Sequence, residues 1–108
     1  MNGILLLLLA IICEVAATTA LRATEGFTRL LPSLAVAVGY GVAFVALSHS
    51  LKAIPIGVAY ATWAGLGTIG VALLGRLLYS EVLATPSLVG ILLIAVGVGL
   101  MSLSPSAH

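Results

Sequence analysis

The chain has 108 residues, 62% of them hydrophobic and 6% charged, with a formal net charge of +1. Roughly a quarter of a soluble domain is charged, so this composition excludes a water-solvated globule, and the mean hydropathy of +1.33 makes lipid the main solvent. No basic surplus is available for nucleic acid, and the single cysteine, Cys13, excludes an internal disulfide and a cysteine-rich metal site.

The charged residues Glu14, Arg22, Glu25, Arg29, Lys52, Arg76 and Glu81 divide the chain into long apolar stretches. Each stretch is long enough for a span of about 20 residues. Backbone polar groups in hydrocarbon must pair within their own segment, so the spans are expected to be helices. The alternating pattern of a barrel strand is absent. The expected fold is therefore an all-α integral membrane protein with four transmembrane helices in a single domain, residues 1–108.

The first helix is expected at about residues 4–21. A cleaved signal peptide is disfavoured there because Met1, Asn2 and Gly3 are neutral and Glu14 interrupts the apolar run. Glu14 stands near the middle of this span, where a charge costs about 2.5–3.5 kcal/mol on insertion scales. No Lys or Arg lies mid-span to neutralise it, and Arg22 is two turns away at the membrane edge. Glu14 is therefore expected to be protonated, to face a wet cavity, or to meet a cation that arrives from outside. The alternative is a permanently protonated carboxyl hydrogen-bonded in a core. Ala10, Ala17 and Thr18 share its face at helical spacing. The two small side chains leave room for a cavity, and they equally suit close helix packing. Cys13 is turned from Glu14 by about 100° and is read as packing.

A charged first loop, Arg22 to Arg29, leads to Pro32 and a second helix at about 33–51. Pro is tolerated in a first turn because its missing N–H would be unpaired there anyway. Tyr40 and Phe44 lie four apart on this helix. Lys52, Pro55 and Gly57 mark the second loop, and the third helix is expected at about 58–78. Tyr60 and Trp63 lie on it three apart, with Gly67 on the same face. Phe27 and Tyr79, beside loops, fit the interfacial aromatic belt. Tyr40 and Trp63 lie inside their spans, where aromatic faces beside a carboxylate would hold a lipophilic cation by charge and cation–π attraction. Gly65 and Gly67 are expected to permit a hinge in the third helix.

Tyr79, Ser80, Glu81 and Pro86 mark the third turn. The fourth helix is expected at about 87–103, followed by a polar tail with Pro105 and His108. Gly90 and Gly97 are seven apart, a spacing that returns to one helix face. Small residues let membrane helices approach closely, so this face is read as a dimer contact, with packing inside one subunit the alternative. His49 and His108 show no metal spacing. No nucleophile–base set occurs, so neither enzyme chemistry nor a cofactor is expected. Arg22, Arg29 and Arg76 against Lys52 favour loops 1 and 3 on the cytoplasmic side; the bias is small, and insertion in both orientations stays open.

These residues in this order resemble the small multidrug resistance family of bacterial exporters, along nearly the whole chain. The likeness rests on Glu14-Val15 with Thr18-Thr19 and Leu21-Arg22, on the first loop from Glu25 to Leu30 with Pro32-Ser33, on Ile54 to Gly67, and on Gly90 to Gly97. It implies an antiparallel homodimer in the bacterial inner membrane. It implies that both Glu14 side chains bind H+ and cationic drugs in turn, with Tyr40, Tyr60 and Trp63 lining the site and Thr18 nearby. Ala64 stands where the family usually has a hydroxyl residue, and Ala17 stands where the guanidinium-exporting branch usually has Trp. Both departures favour the multidrug branch. A guanidinium exporter and a non-transporting membrane subunit are the rival readings. The expected partners are thus H+, cationic small molecules, a second copy of the chain and the lipid bilayer.

Overall fold

A computed structural model describes residues 2–103. The expected polar tail, with Pro105 and His108, lies outside the described residues. The described chain is all helical: α1 Gly3–Ala20, α2 Leu30–Ser50, α3 Ile56–Tyr79 and α4 Thr85–Leu103, with a 3₁₀ turn Leu21–Thr24 after α1. All four α-helices are long and apolar enough to cross a membrane. Three begin two or three residues earlier than the sequence pattern indicates, each at a proline. Pro32 lies within the first turn of α2, Pro55 caps α3, and Pro86 is the second residue of α4. The first four N–H groups of a helix lack intrahelical partners, so a proline there removes nothing.

The first loop is organised by Thr24, which is buried. Its hydroxyl donates to the Leu21 carbonyl at 2.7 Å and accepts from the Phe27 N–H at 3.1 Å. Its carbonyl accepts from the N–H groups of Thr28 and Arg29. Glu25, Gly26 and Phe27 all take positive φ, a conformation that strains the two residues with side chains. The Thr24 bonds hold the chain there.

Helix packing follows the small residues. A Cβ on Gly39 of α2 would stand 2.9 Å from the Ala17 Cβ of α1, and one on Gly70 of α3 would stand 3.0 Å from Val15. On the α4 side of α3, a Cβ on Gly65 would meet Val98 at 2.7 Å and Ile94 at 3.1 Å. Glycine at these contacts brings backbones within dispersion range where lipid supplies no hydrophobic drive. The core lies among α1, α2 and α3, around Leu7, Ala10, Ile11, Val15, Ala43, Ala46, Ala59 and Trp63.

Helix α4 lies against α3 and buries none of its residues. The molecule is a slab of 44 × 34 × 17 Å. Its broad faces carry exposed Leu, Ile, Val and Phe side chains, which suit hydrocarbon rather than water. Within this slab α3 runs unbroken past Gly65 and Gly67, the expected hinge pair. Both glycines serve as close contacts: Gly65 against α4, and Gly67 against the carboxylate of Glu14. Nothing lies within 4 Å of where a Cβ would stand on Gly90 or Gly97, so neither packs on another helix of its own subunit.

Candidate functional site

An open-sided hollow of about 510 Å³ lies between α1 and α3. Its wall is Glu14 and Thr18 from α1, and Tyr60, Trp63, Ala64, Gly67, Thr68, Val71 and Ala72 from α3. The α3 residues recur at spacings of three and four, which places them on one helix face. Glu14 reaches this wall because Gly67 has no side chain: a Cβ there would stand 2.8 Å from Glu14 Oε2.

The two carboxylate oxygens have different surroundings. Thr18, one turn on, donates its hydroxyl to Glu14 Oε1 at 2.9 Å. Thr18 Oγ1 is also 2.6 Å from the Tyr40 hydroxyl of α2. With the Thr18 proton committed to Glu14, Tyr40 must be the donor in that pair, and a chain runs from Tyr40 to Thr18 to Glu14. Oε2 is shut off from water and meets no donor among the described residues. No Lys, Arg or His lines the hollow. The site thus holds an acid oriented through one oxygen and unpartnered at the other, in apolar surroundings. A buried charge without a partner is costly.

The aromatic residues form a series behind it. Tyr40 and Phe44 have ring centroids 6.4 Å apart, and Phe44 stacks on Trp63 at 5.6 Å. Trp63 is buried and Tyr60 is 65% exposed at the rim. The structure therefore brings Glu14, Thr18, Tyr60, Trp63 and Gly67 together on one wall, with Tyr40 joined through its hydroxyl and Phe44 supporting Trp63. It places Ala10 and Ala17 elsewhere. Ala10 is fully buried in the core, and Ala17 lies beneath Gly39 in the seam with α2.

Two groups escaped the reading of the sequence. Thr68 lines the hollow one turn from Ala64, and that helical spacing is the signal that points to it. The second is a cluster where the ends of α1 and α3 meet. Arg22 lies 3.3 Å from Glu81 and 4.7 Å from the centre of the Tyr79 ring, while the Tyr79 hydroxyl donates to the Thr19 carbonyl at 2.8 Å. With side chains 62% and 55% exposed, the ion pair contributes about 0–1 kcal/mol. It borders a smaller hollow of about 110 Å³ that shares Thr18 and Val71 with the main one. Only tertiary structure pairs residues so far apart in sequence. Arg76 stands exposed in the last turn of α3, where a cation suits the helix dipole.

The family described as "Small Multidrug Resistance protein" matches residues 2–94. The chain belongs to the small multidrug resistance family. Among similar members, the quaternary ammonium compound-resistance protein QacE of Escherichia coli is 48% identical, over 100% of both chains. A putative ethidium bromide resistance protein of Escherichia coli is 48% identical, over 98% of this chain and 91% of its own. The multidrug resistance protein EbrA of Bacillus licheniformis is 42% identical, over 94% and 97%. Membership makes this chain a multi-pass protein of the bacterial inner membrane in a family of multidrug efflux proteins, and the four apolar helices are its membrane spans.

Proposed function

We propose that this chain exchanges protons for lipophilic and quaternary ammonium cations, as an antiparallel pair of identical subunits whose two Glu14 side chains share one site. The observation that carries the reading is the Glu14 carboxylate, held through Oε1 by Thr18 and without a donor at Oε2, on the wall of an open hollow. A proton and an organic cation satisfy the same negative charge, and neither leaves it fully available to the other. Occupancy by one therefore expels the other, and exchange follows. Trp63 and Tyr60 offer aromatic faces to the cation. The names of QacE and EbrA support quaternary ammonium and chemically varied drugs as the substrate class.

A second copy is supported by the slab shape and the open side of the hollow. A charged site left facing acyl chains would be costly, and a second subunit laid over it would enclose a wet, two-carboxylate cavity. Gly90, Gly97 and the rest of α4, unburied in one subunit, supply a surface for that pairing. Rocking of the two subunits would then present the cavity to each side of the membrane in turn.

The test is transport by purified protein in liposomes. An acidic interior is expected to drive accumulation of a quaternary ammonium cation against its own gradient, and a protonophore is expected to abolish the accumulation. Uptake indifferent to the pH gradient would contradict proton exchange. Uptake of guanidinium with none of quaternary ammonium would assign the chain to a narrower substrate.

A further inference from the structure

Thr68 has no part in the site described so far beyond lining it. Its hydroxyl donates to the Ala64 carbonyl of its own helix at 2.7 Å, so its proton is spent and its oxygen lone pairs are what it offers to the hollow. Ala64, one turn earlier, presents only a methyl group, and Gly67 presents nothing. Thr68 is exposed on the hollow that Glu14 also lines. Glu14, when ionised, is also acceptor-only, and its Oε2 has no donor among the described residues. One hollow is thus lined by two residues with acceptor oxygens to which its own walls bring no donor, Glu14 Oε2 and the Thr68 hydroxyl oxygen. A quaternary ammonium carries no N–H and meets both by charge alone. A protonated amine carries an N–H that can be shared with either.

We propose that Thr68 is a specificity residue that favours cations bearing an N–H, such as protonated amines, over quaternary cations of the same bulk. The inference rests on the reading of the hollow as a cation site. A hydrogen bond to a charged donor is worth about tenfold in affinity or more. Thr68 then supplies an acceptor that Coulomb attraction to Glu14 alone would not provide, and selection between the two cation classes is set one turn away from the carboxylate.

The test measures binding of two probes to purified protein by calorimetry at neutral pH. The probes are protonated benzyldimethylamine and benzyltrimethylammonium, alike in size and charge and different in the N–H. Thr68→Val keeps the shape and removes the oxygen; Thr68→Ala removes it a second way, should the valine variant fold poorly; Thr68→Ser restores it. The ratio of the two affinities is expected to shift about tenfold toward the quaternary probe in Thr68→Val and Thr68→Ala, and to return in Thr68→Ser. An unchanged ratio, including a loss common to both probes, would overturn the inference. If the Glu14→Gln protein binds both probes as tightly as the wild type does, the failure lies instead in the reading of the hollow as a carboxylate site, and this inference falls with it.

Discussion

Glu14→Gln is expected to abolish proton-coupled exchange while leaving the protein folded in the membrane. Glutamine keeps the length and planar end of the side chain, and its amide oxygen can still accept from Thr18 as Oε1 does at 2.9 Å. What it loses is the capacity to carry a proton or a negative charge. Removing one partner of a desolvated charge pair costs about 2–5 kcal/mol, so cation affinity should fall by about 100-fold or more. The neutral amide also lowers the cost of inserting α1, so protein yield should not fall with activity. Uptake assays on matched amounts of protein check this. Glu14→Asp, which keeps the charge and withdraws it by one methylene, should retain part of the exchange.

Gly67→Ala is expected to separate stability from activity. Alanine is a better helix former than glycine by about 1 kcal/mol, and Gly67 lies in the interior of α3. The added Cβ would meet only the end of the Glu14 side chain, with Oε2 at 2.8 Å. That side chain can swing aside, so the fold should tolerate the change and thermal unfolding in detergent should not move downward. The carboxylate, however, leaves its position between Thr18 and the hollow. Displacing a functional group by about 1 Å costs on the order of 100-fold where geometry is critical; a loss of about tenfold or more in cation uptake is the expected reading. Equal losses of stability and uptake would place Gly67 among the packing glycines with Gly39 and Gly65.

These two residues also mark how far the sequence alone carries. Glu14 was legible because a lone acid in a long apolar stretch is conspicuous whatever surrounds it. The four spans were legible for the complementary reason: charges and prolines gather at the loops. Helix starts were displaced because a proline reads as a stop but sits without cost in a first turn, as Pro32 and Pro86 do. Gly67 was legible as a position and not as a role. A glycine that bends a helix and one that makes room for a neighbouring carboxylate look the same in one dimension, and the unbroken α3 with Glu14 Oε2 beside it decides for this conformation.

The same limit applies to Ala10 and Ala17. Ala10 and Ala17, seven apart, lie together about 40–60° to one side of Glu14, and Thr18 lies about 40° to the other, so one side can face the hollow and the other the adjoining seam. Gly39 draws α2 onto Ala17, and Ala10 falls within the core. Thr18, at the same kind of spacing, falls on the wall of the hollow. The helical pattern separates the two sides but does not say which of them the hollow occupies. The Tyr40–Thr18 contact, across 22 positions, and the Arg22–Glu81 pair, across 59, likewise depend on which helices meet.

The central claim is that one carboxyl group holds either a proton or an organic cation. The direct measurement is proton release: purified protein in weak buffer is mixed with a saturating quaternary ammonium cation, and the pH of the solution is followed across the range in which exchange operates. Protons should appear in proportion to bound cation within that range, and Glu14→Gln should release none. Tight cation binding with no proton released at any pH in the range would contradict the account.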